Sequence, residues 1–263
     1  MRYFFHIAYD GSKYSGWQWQ PNSFSVQEAI EQKLAKIFKE KVTVYGCGRT
    51  DKGVHAAQYF FHLTLNSVPD FEIEFVVRQH LPKSIVLFEV FQVDETQHCR
   101  YDAISRSYDY FLHTKADPFL DKYSTLFNYE KLNVSAMQQA AQMICRYQDF
   151  RGFCLQPESH NHTRCMVSNS RLYSDKEQHR LRFSITGNRF LKGMNRILIG
   201  ALLKIGREQL TLTAFEEYLR NPKAMPNIKI APPNGLYLSR VEYPTICREN
   251  KSQLYSFLKS DLS

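Results

Sequence analysis

Groups able to do chemistry are concentrated in one short stretch of the sequence, Tyr45–Gln58, YGCGRTDKGVHAAQ. It sets one carboxylate, Asp51, among Arg49, Lys52 and His55, while Gly46, Gly48 and Gly53 leave the backbone free to bend. Neighbouring cations favour the ionised carboxylate, and an ionised aspartate suits a nucleophile or a base rather than a general acid. The same residues also suit a plain turn, because an aspartate ahead of Lys-Gly can cap nearby backbone N–H groups. Spacing alone leaves both readings open.

A second cluster is CLQPESHNHTRC, where Cys154, His160, His162 and Cys165 are all residue types that bind zinc. Their spacing matches no common structural zinc pattern, and the intervening Pro, Ser and Asn mark a loop. The six cysteines, at 47, 99, 145, 154, 165 and 247, include no C-x-x-C pair, so free thiols are expected. A zinc-dependent nucleic-acid enzyme would have to rest on the 154–165 cluster.

The surplus of 34 Lys and Arg over 26 Asp and Glu gives a net charge of +8, which favours acidic partners, nucleic acid before an anionic membrane surface. No apolar run approaches the roughly 20 residues of a membrane span. The opening MRYFFHIAYDG enters a strand pattern with no signal-peptide features, so the expected location is the cytoplasm and no membrane partner is expected. Hydrophobic residues at 43% suffice for a sizeable core, and 263 residues allow one large domain or two modest ones.

The elements that must position these groups follow from periodicity. Residues 3–9 read as a strand, and Ser25 with Glu28 opens a helix whose apolar face is Val26, Ile30, Leu34, Ile37 and Phe38. Strands at 42–46 and 57–65 flank the Asp51 stretch, followed by a helix at 71–81 and a strand at 84–93. That β-α-β-β-α-β order is the ferredoxin-like arrangement. It recurs in the second half: a strand at 104–114, a helix through Val134, Met137, Ala141, Ile144 and Tyr147, and a strand pair near 166–173 and 180–186. An apolar helix at 190–206, a shorter one capped by Thr213 with Glu216, and a strand at 235–243 complete it. The expected fold class is α+β: two ferredoxin-like halves, mainly antiparallel, with their sheets joined into one and an RNA-binding groove between them. The expected domains are 1–97, carrying Asp51, and 98–245, with a polar, partly loose tail over 246–263.

The stretch GRTDKGVHA resembles the signature of the TruA family of tRNA pseudouridine synthases, G-R-T-D-K/R-G-V-H-A, at all nine positions. Four further motifs follow that family's order: YDGSKYSGWQWQP, RYDAISRSYDY, GNRFLKGMNRILIGALLKIGR and PPNGLYLSRVEYP. The resemblance runs from residue 9 to 244 and implies the same two-half fold. It implies conversion of uridine to pseudouridine in the anticodon stem-loop of tRNA, by a homodimer, with no metal and no organic cofactor. Position by position, it makes Asp51 the catalytic aspartate that breaks the bond between uracil N1 and ribose C1′. Arg49 becomes the arginine that helps extrude the target nucleotide, a step whose unstacking costs on the order of a few kcal/mol. Tyr108 becomes the active-site tyrosine, although as one of 16 tyrosines it could equally be strand packing. Arg196 becomes the arginine paired with the catalytic aspartate, since a charge on so apolar a helix needs a partner. Leu236 and Leu238 would wall the uracil pocket or simply pack the core.

Several residues depart from the family pattern: Gly152, Cys165, Gly193 and Asn195. They bear on substrate choice, so a synthase acting on another RNA is an alternative, as is a non-catalytic RNA-binding paralogue. Lys13, Arg78, Lys83, Arg106, Arg189 and Lys192 are candidate phosphate contacts.

Overall fold

The computed structural model describes residues 1–129, 131–224, 227–260 and 262. Its elements, in chain order, are β1 (Arg2–Tyr9), α1 (Val26–Phe38), β2 (Tyr45–Gly46), β3 (His55–Thr64), α2 (Ile73–His80) and β4 (Ile85–Val93). The chain continues with β5 (Ser105–His113), β6 (Thr125–Leu126), α3 (Val134–Met143), β7 (Val167–Ser174) and β8 (Arg180–Gly187). It ends with α4 (Met194–Gly206), α5 (Leu212–Arg220), β9 (Leu236–Glu242) and α6 (Gln253–Lys259). The expected β-α-β-β-α-β order is therefore present twice, and the α+β class is as the sequence indicates. No helix among the described residues is long and apolar enough to cross a membrane.

The chain forms two compact units, Met1–Ile104 with Tyr237–Tyr255, and Ser105–Leu236 with the residues from Ser256 onward. In the first, the strands lie in the order β4-β1-β3-β9, with β2 also on β3. Strands β1, β2 and β4 pair antiparallel, whereas β9 joins β3 in parallel at His55↔Tyr237 and Ala56↔Leu238. Phe4, Phe5, Ile7, Ile30, Leu34, Phe61 and Val77 fill its core. Strand β3 is buried at every residue from His55 to Leu63, so its polar side chains need internal partners. Gln58 shows how this is met: its Nε2 donates to the Arg248 carbonyl at 2.9 Å, and its Oε1 accepts from Val241 N at 2.9 Å. Asn250 donates to the Ser239 carbonyl, so the segment after Pro244 is held by side-chain amides, and Tyr255 and Leu258 beyond it are buried.

In the second unit, β5-β8-β7 form an antiparallel run with β6 on β5. Helix α3 packs on β7 and on α4. Helix α4 is apolar nearly all round and accordingly buried nearly all round; Arg196 and Lys204 are its more accessible residues.

Helix starts separate propensity from geometry. Ser25 caps α1 as the S-x-x-E spacing predicts, its Oγ accepting from Glu28 N at 3.1 Å. The cap of α5 is Thr211, whose Oγ1 accepts from Ala214 N at 3.1 Å, and not Thr213, which lies inside the first turn. Helix α4 begins at Met194 rather than 190, because Gly193 precedes it at φ +73°, a left-handed conformation that does not continue into a helix. We expect Thr211→Ala to cost about 1 kcal/mol in chemical denaturation. Thr213→Ala should stay within about 0.5 kcal/mol of the wild type.

Candidate active site

The Asp51 stretch links β2 to β3 and makes almost no strand ladder of its own. It is held from outside. The Tyr59 hydroxyl donates to the Gly48 carbonyl at 2.5 Å, and the Tyr9 and Thr50 hydroxyls share a hydrogen bond of 2.8 Å. Trp17 N donates to the Thr50 carbonyl (3.2 Å), Gly53 N to the Tyr14 carbonyl (3.2 Å) and Val54 N to the Asp51 carbonyl (3.1 Å). Trp17 is buried and stacks on Tyr59 with ring centroids 4.2 Å apart, so the loop rests on an aromatic wall. The glycine of the Trp17 loop is part of this fit. Gly16 has φ +96°, and a Cβ there would lie 2.3 Å from the Thr50 carbonyl oxygen.

Along this loop Arg49 is exposed, Thr50 buried and Asp51 half-buried, so the two candidate groups alternate with an inward residue as their spacing implies. Lys52 is exposed beside them, and His55, already on β3, is buried. His55 Nδ1 accepts from Gly11 N at 3.1 Å, lies 3.3 Å from an Asp10 carboxylate oxygen and stacks on Tyr237 at 4.7 Å. Leu238 lies next along β9, fully buried, in register with Ala56. The first unit thus carries Arg49, Asp51 and Leu238.

The second unit carries Tyr108, Arg196 and Leu236. Tyr108 is half-buried on β5 and meets Phe190 edge-on at 5.1 Å. Asp109, on the opposite face, is buried with Arg182 at 3.4 Å, and Arg182 also covers the Tyr173 ring. Tyr110, on the Tyr108 face, donates towards the Pro232 carbonyl at 3.0 Å; burial pushes its hydroxyl pKa up, and the Arg196 charge pulls it back. Arg196 Nε donates to the Ala231 carbonyl at 2.7 Å, and Ala231 N donates to the Arg196 carbonyl at 3.0 Å. Leu236 N donates to the Pro233 carbonyl at 2.9 Å. Three separate motifs, on β5, α4 and the 231–236 segment, are therefore tied together by backbone carbonyls.

The cationic candidates have differing local roles. Arg78 is engaged by Glu74 and by the carbonyls of Leu87 and Phe88, which suits a structural part. Arg106 donates to the Asn188 carbonyl, Arg189 to His162 and Lys192 to Gln156. His162 thus faces a guanidinium. Cys154 and Cys165 are buried thiols, and burial pushes Cys165 up to about 11. Among the described residues the side chains gathered at metal-ligand range are His62, His98 and Cys99, not those of the 154–165 loop. The departure at Gly193 has a local reason: a Cβ there would meet Leu155 side-chain atoms at 2.7 Å. Asn195 is buried beside it, and nothing in the structure explains its choice over an apolar residue.

A family model described as tRNA pseudouridine synthase matches residues 6–102 and 140–244, which is well over half of the chain. The chain belongs to the tRNA pseudouridine synthase family. It is 36% identical over 247 residues to the tRNA pseudouridine synthase A of Porphyromonas gingivalis, covering 93% of this chain and 98% of that one. Identity is 34% to the protein of the same name from Bacteroides thetaiotaomicron (98% and 97% covered) and 32% to that from Staphylococcus aureus (92% and 91%). The family is one of isomerases of the TruA type. Its match spans the Asp51 loop and the α4 and β9 motifs; β5, with Tyr108, lies between the two matched stretches.

Sequence reasoning missed the supports of the loop: Tyr9, Tyr14 and Tyr59, together with the Asp10–His55 contact. Asp10 and Tyr14 stand inside a quoted motif, which was a usable signal. Tyr59 carries none, because its hydroxyl meets a backbone carbonyl, that of Gly48 just past the neighbouring strand. We expect Gly16→Ala to lose about 1–3 kcal/mol in denaturant unfolding, since the new Cβ must push the Thr50 carbonyl away. Gly48→Ala, where a Cβ would meet nothing within 4 Å, should stay within about 0.5 kcal/mol.

Proposed function

We propose that this protein isomerises uridine to pseudouridine in the anticodon stem-loop of tRNA, with Asp51 as the catalytic residue. The observation that carries the reading is the nine-residue GRTDKGVHA match on a loop anchored at Gly48, Thr50 and Gly53. A reacting group gains from such a support, since chemistry needs its atoms within about 0.5 Å of the productive geometry.

In this reading the Asp51 carboxylate acts as the anion that severs N1 from C1′, and the freed uracil turns and rejoins through C5. Tyr108 gives the base a stacking face, and Arg196 is the charge partner of Asp51. Arg49, exposed beside Asp51, takes the place of a base in the stack when the nucleotide is extruded. Leu236 and Leu238 line the uracil pocket. Cutting and rejoining balance within one substrate, so the reaction calls for no metal, redox partner or organic cofactor. The protein acts in the cytoplasm as a homodimer, and its +8 charge supplies the phosphate affinity.

Pseudouridine mapping on tRNA transcripts tests this. Modification is expected in the anticodon arm, and Asp51→Ala should abolish it while tRNA binding stays near the wild-type level. An active Asp51→Ala variant would remove the assignment, and modification confined to another RNA class would move the substrate while keeping the chemistry. Binding should also weaken steeply with salt, each phosphate contact adding about 0.7–0.9 to the logarithmic slope. A slope near zero would exclude the electrostatic account.

A further inference from the structure

At the far end of β3 from the Asp51 loop, three ligand-type side chains converge without a part in the chemistry above. His62 projects from β3, and His98 and Cys99 come from the turn that follows β4. Their candidate ligand atoms all lie within 4.8 Å of one another. His62 Nδ1 is 3.1 Å from Cys99 Sγ, and the two imidazole rings meet edge to face at 4.5 Å.

We propose that His62, His98 and Cys99 form a binding site for a thiophilic divalent metal ion of the zinc class. The donor set, one thiolate and two imidazoles, is borderline-soft; it suits zinc and not magnesium or calcium, which demand oxygen. A tetrahedral zinc with Zn–S near 2.3 Å and Zn–N near 2.0–2.1 Å sets S and N about 3.5 Å apart. The observed 3.1 Å therefore needs to open by a few tenths of an ångström. Three protein ligands leave the fourth position to water, reached from the half-exposed His98 side, since His62 and Cys99 are buried.

The surroundings prepare these atoms. Cys99 N donates to His62 Nδ1 at 3.4 Å, a contact that suits the tautomer with Nδ1 unprotonated and its lone pair on the Cys99 side. Cys99 Sγ donates to the Tyr45 carbonyl at 2.9 Å; binding releases that proton to solvent and makes the thiolate, with no redox change. The turn itself is fixed by His98 N to Asp102 Oδ2 (2.7 Å) and by the Tyr243 hydroxyl to the Cys99 carbonyl (2.6 Å). Tyr45 stacks on His62 at 5.2 Å and Tyr101 leans on His98 at 4.3 Å, giving the rings an apolar shell that sets their orientation. Arg2 is the opposing charge; its guanidinium donates to the Gln97 carbonyl, and the thiolate offsets it. The ion would staple β3 to the turn between β4 and β5, apart from the isomerisation.

The test uses the untagged full chain carrying Cys145→Ser and Cys247→Ser, which removes the two exposed thiols. After chelator treatment it is titrated with Co2+, then Zn2+. One equivalent of Co2+ is expected to give a thiolate-to-cobalt charge-transfer band with tetrahedral ligand-field absorption, both displaced by Zn2+. Cys99→Ser should abolish the charge-transfer band. His98→Ala, which removes one of the three proposed ligands, should weaken affinity by at least the roughly tenfold that losing an outer-shell partner costs. Pseudouridine formation should be unchanged by the metal, so a failed synthase assay and a failed metal titration are separate results. Absence of the band would overturn the site. So would a band that survives Cys99→Ser, or one lost instead with Cys165→Ser, which would move the ion to the 154–165 loop.

Discussion

Burial of β3 from His55 to Leu63 is the constraint from which the first unit follows. A strand with both faces covered has no water to satisfy its polar side chains, and an unpaired buried group costs about 1–3 kcal/mol. This one nevertheless carries His55, Gln58 and His62 in the buried run. Each is matched from a different direction: His55 by Gly11 and Asp10, Gln58 by Val241 and Arg248, His62 by the Cys99 turn. The loop after β1, the turn after β4, the closing strand and the segment that follows it are thereby all referred to one element. The Asp51 loop runs straight into that element, which is why its position is well defined although it has no ladder of its own.

Rigidity at the loop has a second source in its neighbours' shapes. Trp17 and Tyr59 stack closely enough that only a glycine's backbone fits between the Trp17 loop and Thr50. Tyrosine hydroxyls then pick out particular carbonyls and hydroxyls on the other side. An aromatic wall supplies area, and its polar tips supply register. In the second unit the equivalent task falls to carbonyls of the 231–233 segment, which receive Arg196, Tyr110 and Leu236 in turn.

Much of this was legible in the sequence, and the boundary of legibility is physical. Element order followed from periodicity, and the Ser25 cap from a spacing of three, because both depend on residues close in the chain. The candidate positions Arg49, Asp51, Tyr108 and Arg196 stood out through motif resemblance, where composition left both a turn and a reactant open for Asp51. What escaped was set by partners far away. Thr213, with Glu216 three residues on, has the better claim to a cap by spacing, and only the backbone direction shows that Thr211 holds the position. The start of α4 depends on Gly193 being left-handed, and the room for that glycine depends on Leu155. No pattern within residues 55–64 announces that β9 lies parallel to them, or that His62 faces Cys99.

The parallel seam between β3 and β9 also gives the molecule a timetable. Residues 1–104 leave the ribosome long before Tyr237–Glu242, and at about 5–20 residues per second the gap lasts roughly 7–26 s. Throughout that interval the flank of β3 that β9 will cover, and both polar ends of Gln58, have no native neighbour. A nascent chain in this state presents an unprotected strand edge over His55–Gln58, the kind of surface that pairs with other chains. The fold's last strand is thus its first unit's missing wall, and the cell must shelter that edge for the length of translation.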